Sequence, residues 1–243
     1  MQTAIIIIAA IIIIAGITVR SYIHYYEYHG LGPQEGVWRG GPSDKKIIAL
    51  TFDDGPSPEY TPRILDILRE KQAKATFFMT GSMVEAYPEI AARAVAEGHD
   101  VGNHTYHHVN LVFLKGDALV REIEMGEQAL TAALGRKPVL FRPPRSILPN
   151  EARKVLLSKD YSIIMWTASA ADWMNLGPQH ILRRLRKTIK PGAALLFHDG
   201  GGVVKKDGGS REGTVLALPL VVDMIRSQGY ELVTITEVLN AEE

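Results

Sequence analysis

Residues 47–55 read Ile-Ile-Ala-Leu-Thr-Phe-Asp-Asp-Gly, an apolar run that ends in two adjacent carboxylates and a glycine. The run Ile47–Leu50 predicts a buried strand, and Asp53 and Asp54 follow at its carboxyl end. Neighbouring side chains on a strand point to opposite faces, so the chain must turn before both carboxylates can face one site. The dipeptide Gly55-Pro56 predicts that turn.

Two imidazoles follow in residues 104–108, which read His-Thr-Tyr-His-His. The i, i+4 spacing predicts that His104 and His108 lie on one face of a helical turn, near enough to share a metal. Two histidines and one carboxylate form a three-ligand set that leaves an open position for water or substrate. The second carboxylate is then available as the general base of a metal-dependent hydrolase.

The composition bounds the other possibilities. The chain has 243 residues, of which 46% are hydrophobic, enough to bury one sizeable core. The chain has 27 basic residues (Lys and Arg) and 27 acidic residues (Asp and Glu), so its formal net charge is zero. A chain without excess positive charge is not expected to bind nucleic acid. Cysteine is absent, which excludes disulfides, cysteine zinc sites and a cysteine nucleophile. A metal would therefore be held by histidine and carboxylate.

The first residues differ in character from the rest. Ala4–Val19 is an uncharged, isoleucine-rich run, and residues 1–19 as a helix would span roughly 28 Å, close to the ~30 Å core of a bilayer. We predict a membrane anchor or signal segment at 1–20, a linker at 21–43 and a catalytic domain at 44–243. The run has no preceding basic residue and no small-x-small cleavage site, which favours a single-pass anchor in the cell membrane over secretion after cleavage.

The catalytic domain is expected outside the cell on substrate grounds, although Arg20 taken alone favours the opposite orientation. From residue 47 onward, strand-like and helix-like segments alternate, which predicts a parallel sheet, open or closed into a barrel. Active sites of both architectures lie at the carboxyl ends of the strands, where the polar side chains of this chain also follow apolar runs. Strands are predicted at 47–52, 75–79, 100–103, 139–141, 163–166, 193–197 and 231–235, and helices at 59–71, 87–97, 117–134, 150–158, 178–189 and 214–227.

Residues 51–55 and 104–108 resemble the first two motifs of the polysaccharide deacetylases, the carbohydrate esterases of family 4 with a NodB homology domain. The resemblance covers residues 46–239. It implies a distorted (β/α) barrel that removes acetyl groups from an N-acetylated glycan. Three later stretches resemble the remaining motifs in order, namely 141–145 (FRPPR), 169–173 (SAADW) and 195–199 (LLFHD).

The resemblance implies a role for each motif residue. Asp54, His104 and His108 would hold a divalent metal, foremost zinc, although such ligands also accept cobalt, nickel or iron. Asp53 would take the proton of the attacking water, and His198 would protonate the departing amine.

Two further side chains would support these groups. Arg142 would orient Asp53 and keep it ionised, and Asp172 would accept a hydrogen bond from His198 and raise the pKa of that imidazole. The backbone N–H of Arg145 would help to hold the oxyanion. The groove for the glycan would be lined by Pro144, Arg145, Trp173 and Leu196, with Leu196 against the acetyl methyl group.

Some positions depart from the family pattern. Arg145 stands where tyrosine or glycine is common, Ser169 stands where an acid is usual, and residues 203–208 resemble an insertion at the rim of the site. These departures motivate a catalytically silent glycan-binding domain as one alternative. An O-acetyl esterase would use the same residues, and an unrelated metallohydrolase is a third alternative. The expected substrate is an N-acetylated glycan of the cell envelope, such as peptidoglycan or a chitin-like oligomer.

Overall fold

The computed structural model describes residues 2–29, 34–42, 44–201 and 209–242, and within the first segment it describes the side chains of residues 8–21. The predicted insertion at 203–208 lies outside these residues. The described strands are β1 (Val37–Trp38), β2 (Ile47–Asp53), β3 (Thr76–Met79), β4 (Asp100–Asn103), β5 (Leu140–Phe141), β6 (Ser162–Ile164), β7 (Ala168–Ser169), β8 (Ala193–His198) and β9 (Glu231–Val233). The described helices are α1 (Gln2–His29), α2 (Thr61–Glu70), α3 (Gly81–Ala86), α4 (Pro88–Ala96), α5 (Gly116–Leu134), α6 (Asn150–Ser158), α7 (Pro178–Arg186), α8 (Glu212–Ser227) and α9 (Ile235–Asn240).

The strands form one parallel sheet in the order β1-β6-β5-β4-β3-β2-β8-β7, and β9 also pairs with β2. Helices connect most of the parallel neighbours, as parallel pairing requires. The sheet curls into a half-barrel, so the predicted α/β class and parallel sheet are confirmed. The carboxyl ends of its strands meet at one edge, where the polar residues of the motifs lie.

Strand alternation determines which residues of β2 face the interior of the half-barrel. Leu50 and Phe52 pack outward in the main core with the surrounding helices, whereas Ala49 packs inward with Phe78 from β3. Because side chains alternate along a strand, Thr51 and Asp53 lie on the same inner face as Ala49. The central strand therefore delivers Asp53 to the open end of the half-barrel.

The predicted elements agree with most of the observed ones. The prediction of α6 is confirmed at both ends, and Gly135 ends α5 in the left-handed conformation, with φ 68°. Several predicted bounds differ from the observed ones, and two of the differences change an assignment. Ile235 begins helix α9 rather than ending a strand, and β1 lies inside the predicted linker 21–43, so the sheet begins before residue 44.

Helix α1 includes the isoleucine-rich run. Where their side chains are described, its isoleucines are solvent-exposed, as at Ile8, Ile12 and Ile17. Among the residues that the structure describes, no helix combines the length and the apolar character needed to cross a membrane.

Candidate active site

The two adjacent carboxylates lie where β2 ends and the chain turns. Asp54 adopts a left-handed backbone conformation, with φ 78°, which few residues other than glycine adopt without strain. This change of direction lets Asp54 and Asp53 face the same site, as the sequence required. The turn is held by Asp199, whose carboxylate accepts hydrogen bonds from the Gly55 backbone N–H at 3.2 Å and from the Thr61 hydroxyl at 2.6 Å.

The two histidines lie on a loop after β4. The predicted helical turn was wrong, because residues 104–108 are not helical and both Thr105 and His108 have positive φ values of 66° and 56°. Side chains hold this conformation. Asn103 Oδ1 accepts the Thr105 N–H at 2.9 Å, Thr105 Oγ1 accepts the His108 N–H at 3.1 Å, and buried Glu122 from α5 accepts the backbone N–H of His107. The loop brings the imidazoles of His104 and His108 to 5.1 Å between ring centroids.

Asp54, His104 and His108 form a cluster whose donor atoms all lie within 4.8 Å of one another. Asp54 Oδ1 is 3.1 Å from His108 Nε2 and 3.5 Å from His104 Nε2. His104 Nδ1 is 2.7 Å from the carbonyl oxygen of Arg142 and donates to it, so Nε2 is the nitrogen that faces the cluster. Two imidazole nitrogens and one carboxylate are a donor set that fits a divalent transition metal.

The carboxylate of this cluster is ionised. Burial raises the pKa of Asp54, but hydrogen bonds from His104 and His108 and the positive charge of His198 outweigh burial, and the pKa lies well below its usual value. A metal ligand must be deprotonated to bind. Asp54 therefore meets that requirement at neutral pH.

Asp53 is held by a fully buried arginine. Arg142 Nη1 donates to Asp53 Oδ1 at 2.7 Å and to Thr51 Oγ1 at 2.8 Å, and its other nitrogens donate to the backbone carbonyls of Ile164 and Met165. The guanidinium lies 4.0 Å from the ring centroid of Phe78. Asp53 Oδ2 remains on the side of the cluster, 3.8 Å from His104 Nε2.

The imidazole of His198 lies on the neighbouring strand, in register with Asp53. Its Nδ1 is 2.8 Å from Asp172 Oδ1, and the other carboxylate oxygen of Asp172 accepts the His198 backbone N–H at 2.7 Å and the Thr214 hydroxyl at 2.8 Å. Burial lowers the pKa of His198, but the charge and hydrogen bond of Asp172, with the charges of Asp54 and Asp53, raise it to about 9. At this pKa the imidazole of His198 carries its second proton at neutral pH.

The pKa of Asp172 itself lies below its usual value. Burial raises the pKa of this carboxyl, but the charge and hydrogen bond of His198 and the charge of Arg211 outweigh burial. The predicted pair between Asp172 and His198 is thus present in the structure, with the carboxylate ionised and the imidazole protonated.

The predicted groove residues differ in their exposure. Trp173 is 44% exposed at the rim, and Arg145 is also exposed and lines a groove that reaches His108. Leu196 and Pro144 are buried. Their roles toward a glycan stay predictions.

Ser169, the departure from the family pattern, is also buried. Its hydroxyl oxygen accepts the Ala171 N–H at 3.1 Å within the turn that precedes Asp172. The serine therefore supports the local backbone of that turn.

Sequence reasoning missed three supporting residues, Thr51, Thr214 and Asp199. Thr51 lies two residues before Asp53 on the same strand face, so the alternation alone could have identified it. Asp199 is the last residue of the motif at 195–199 and follows a predicted buried strand directly. An acid at such a strand end could have been identified as part of the site. Thr214 gave no local signal, because its partner Asp172 is 42 residues away in sequence.

Comparison with known proteins agrees with this geometry. The family model described as polysaccharide deacetylase matches residues 40–164. A peptidoglycan-N-acetylglucosamine deacetylase of Bacillus cereus is 36% identical over 200 residues, which are 82% of this chain and 90% of that protein. A chitooligosaccharide deacetylase of Bradyrhizobium is 32% identical over 198 residues, covering 79% of this chain and 90% of that protein.

Solved structures agree as well. The crystal structure of a peptidoglycan N-acetylglucosamine deacetylase with a bound N-hydroxybenzamide compound superposes with a TM-score of 0.79 at 32% identity, covering 84% of this chain and 92% of that one. A family 4 pseudoenzyme of Bacillus anthracis superposes with a TM-score of 0.76 at 31% identity, covering 86% of this chain and 70% of that one. By its motifs, its fold and these matches, the chain belongs to the polysaccharide deacetylase family.

Proposed function

We propose that this protein is a metal-dependent hydrolase that removes acetyl groups from N-acetylglucosamine-type units of a cell-envelope polysaccharide, such as peptidoglycan or chitin-like oligomers. One observation carries the proposal. A carboxylate fixed by Arg142 and a protonated imidazole fixed by Asp172 lie in register on adjacent strands, beside a cluster of two histidines and one aspartate. A base, an acid and a metal site are the groups that amide hydrolysis needs.

Asp54, His104 and His108 are the residues that would hold the metal, and zinc is the metal that we propose first. Cobalt, nickel and iron suit the same donors. When bound there, a divalent cation would polarise the acetyl carbonyl and lower the pKa of a water molecule. The relatives named for deacetylation of peptidoglycan and chitooligosaccharides support the substrate class.

Asp53 is the general base of the proposed reaction. Its Oδ1 is occupied by Arg142, so Oδ2 is the oxygen that faces the cluster and takes the proton of the attacking water. The backbone N–H of Arg145 is proposed as one donor to the oxyanion.

His198 is the general acid. Asp172 accepts the Nδ1 proton, which leaves Nε2–H as the donor to the departing amine nitrogen. An amide does not leave readily as an anion, so the reaction depends on this proton. Leu196 would pack against the acetyl methyl group, and Pro144 and Trp173 would form walls of the groove.

Acetate release tests the proposal. The full chain, loaded with zinc, would be assayed on N-acetylglucosamine oligomers, peptidoglycan and acetylated xylan beside its Asp53→Asn variant. Release from the first two that disappears in the variant supports an N-deacetylase. Release from xylan alone would identify an O-acetyl esterase. Retention of a glycan without release of acetate, with bound zinc confirmed, would identify a silent glycan-binding domain.

We also propose that the N-terminal segment 1–20 anchors the chain in the cell membrane with the catalytic domain outside the cell. The support is the uncharged run Ala4–Val19 and the location of envelope glycans. Cell fractionation, followed by protease treatment of intact cells, tests both parts. Recovery in the soluble cytoplasmic fraction would overturn this placement.

A further inference from the structure

Helix α7 carries a local excess of positive charge in a chain whose formal net charge is zero. Residues 173–198 include five Lys and Arg residues and no acidic residue. Arg183 and Arg186 of α7 and Lys187 at its C-cap have i, i+3, i+4 spacing, so they share one face of the helix, and all three are exposed. The buried residues of α7 lie on the opposite face. The outer face of α7 is therefore basic.

These three cations have no acidic partner among the residues that the structure describes. Exposed cations elsewhere do have one, as Arg63 pairs with Glu212 and Lys71 pairs with Asp223. Cations in the last turn of a helix suit its dipole, which would account for isolated basic residues there. The dipole does not explain the exposed apolar side chains that lie beside them.

The neighbouring surface is apolar. Leu216 and Leu220 follow one another at i, i+4 on α8, and Met174 and Leu176 lie in the segment that leads into α7. Each of these four side chains is 45% to 56% exposed. Helix α7 packs against α8, and their first turns are in contact at Gly213. We call these four side chains and the three cations the α7–α8 face.

The chemistry of the α7–α8 face fits a bilayer surface that contains anionic lipids. The guanidinium and ammonium groups would contact lipid phosphates, and the leucine and methionine side chains would enter the boundary between headgroups and acyl chains. A soluble acidic polymer would pair with the cations, but it offers no apolar phase for the four exposed apolar side chains. An apolar patch beside unpaired cations therefore favours a lipid surface over a soluble polyanion.

The proposed anchor would keep such a surface within reach. The anchor ends at residue 20 and the sheet begins at β1, so segment 21–36 between them spans at most roughly 55 Å even when fully extended. The catalytic domain of an anchored chain would therefore stay close to the bilayer.

We propose that the α7–α8 face docks the catalytic domain on a bilayer surface that contains anionic lipids. Docking is a second membrane contact, separate from the proposed N-terminal anchor and independent of the hydrolase activity. Met174 directly follows Trp173 at the rim of the site, so docking would hold this rim next to the bilayer.

A fluorescent reporter on the face tests the proposal, because the chain has no native cysteine that would also be labelled. Leu216→Cys in the full chain is labelled with a dye whose emission moves to shorter wavelength in an apolar environment. Vesicles contain phosphatidylcholine alone or with phosphatidylglycerol. We expect a blue shift with the anionic vesicles that high salt reverses. The matched control, Leu157→Cys on α6, lies at the other end of the sheet from β7 and should not shift.

Neutralising the cations separates the face from the charge of the whole chain. The α7 variant combines Arg183→Gln, Arg186→Gln and Lys187→Gln in the labelled protein. Each cation near an anionic surface contributes roughly five-fold to binding, so the ratio of docked to undocked protein should fall roughly 100-fold. The control variant changes the net charge equally at three other exposed cations, Arg121→Gln, Arg136→Gln and Lys154→Gln. The control should keep the blue shift, and an unchanged shift in the α7 variant or its loss in both variants would overturn the proposal.

Two further measurements separate docking from its alternatives. Flotation of the full chain with neutral vesicles reports the N-terminal anchor alone, so a blue shift with anionic vesicles supports docking even if the anchor fails this test. Soluble polyglutamate tests an acidic polymer as the partner. Binding of polyglutamate that requires the three cations, without a blue shift on any vesicle, would overturn lipid docking in favour of an acidic polymer.

Discussion

Arg142 shows how a single buried charge organises the site. A fully buried guanidinium is costly unless all its donors are paired, and Arg142 pairs with the carboxylate of Asp53, a hydroxyl and two backbone carbonyls. Burial lowers the pKa of Arg142, and the charge and hydrogen bond of Asp53 oppose that shift. An arginine stays protonated in such an environment. The pair therefore fixes the position of Asp53, the proposed base.

The roles of Asp53 and His104 can be separated by substitution. Asp53→Asn is expected to reduce acetate release by about 100-fold to 10,000-fold, because the asparagine cannot accept a proton. Zinc should stay bound, because residue 53 is not one of the proposed metal ligands. His104→Ala is expected to lose both activity and zinc. Acetate release and metal content, measured on the same samples, check these outcomes. An Asp53→Asn protein that kept most of its activity would show that Asp53 is not the base.

The pair of His198 and Asp172 predicts a pH effect. The acid must be protonated, so activity falls as pH rises through the pKa of His198, which Asp172 raises. Asp172→Asn removes the negative charge and is expected to move the alkaline limb of kcat/KM down by about 1 to 3 pH units. Profiles of rate against pH for the wild-type and variant proteins test this. The control is Asp223→Asn, which neutralises an exposed acid paired with Lys71 and should leave the limb in place.

The residues proposed to carry the chemistry could be located from the sequence because each follows an apolar strand run. Asp53, His104 and His198 lie at the carboxyl ends of β2, β4 and β8, as the apolar runs before them predicted. The supporting contacts were harder to predict, since they join distant parts of the chain. Asp199 illustrates this limit, because burial raises its pKa to about 7 and its partners are Gly55 and Thr61, more than 130 residues earlier.

At the scale of elements, the i, i+4 spacing correctly predicted that the imidazoles of His104 and His108 lie close together, but they do so on a loop and not on a helical turn. Left-handed backbone at Thr105 and His108 takes the place of a helical turn, and spacing alone does not reveal backbone handedness. The two-residue strands β1 and β7 are too short for any periodicity. Helix α9 had a readable signal, the capping box formed by Thr234 and Glu237, which the apolar run beside it concealed.

Helix α5 and the histidine loop are in close contact at Gly126. A Cβ atom there would lie 2.5 Å from Asn103 Oδ1 and 3.0 Å from the backbone of Thr105. Gly126→Ala should therefore displace the loop that bears both histidines, despite the better helix propensity of alanine. We expect the free energy of unfolding to fall by about 1 to 3 kcal/mol and zinc affinity to fall with it.

Urea unfolding and zinc titration of the Gly126→Ala protein measure these two effects. The matched control is Gly213→Ala in the first turn of α8, where the nearest heavy atom to the added Cβ is 3.8 Å away. This variant should bind zinc as the wild-type protein does. Wild-type zinc affinity in Gly126→Ala would show that α5 does not position the loop.

At the scale of the whole molecule, the parallel sheet explains why motifs far apart in sequence form one site. The order of the strands places β2 between β3 and β8, so the carboxyl ends that bear Asp53 and His198 are neighbours. The proposed metal ligands come from two such ends, Asp54 after β2 and the histidine loop after β4. A metal held there joins parts of the sheet that are separated by β3.

This arrangement predicts that metal removal lowers both activity and global stability. A ligand that binds only the folded state at 1,000 times its Kd adds about 4 kcal/mol to the free energy of unfolding. For a chain of this size, that corresponds to a rise in Tm of roughly 8 to 16 °C. Treatment of the zinc-loaded protein with a chelator should reverse this rise and abolish acetate release, and added zinc should restore both. Calorimetric scans at several zinc concentrations measure the effect, and the His104→Ala protein serves as the control because its Tm should not respond to zinc. A zinc-dependent Tm of the same size in His104→Ala would place the stabilising metal outside the cluster of Asp54, His104 and His108.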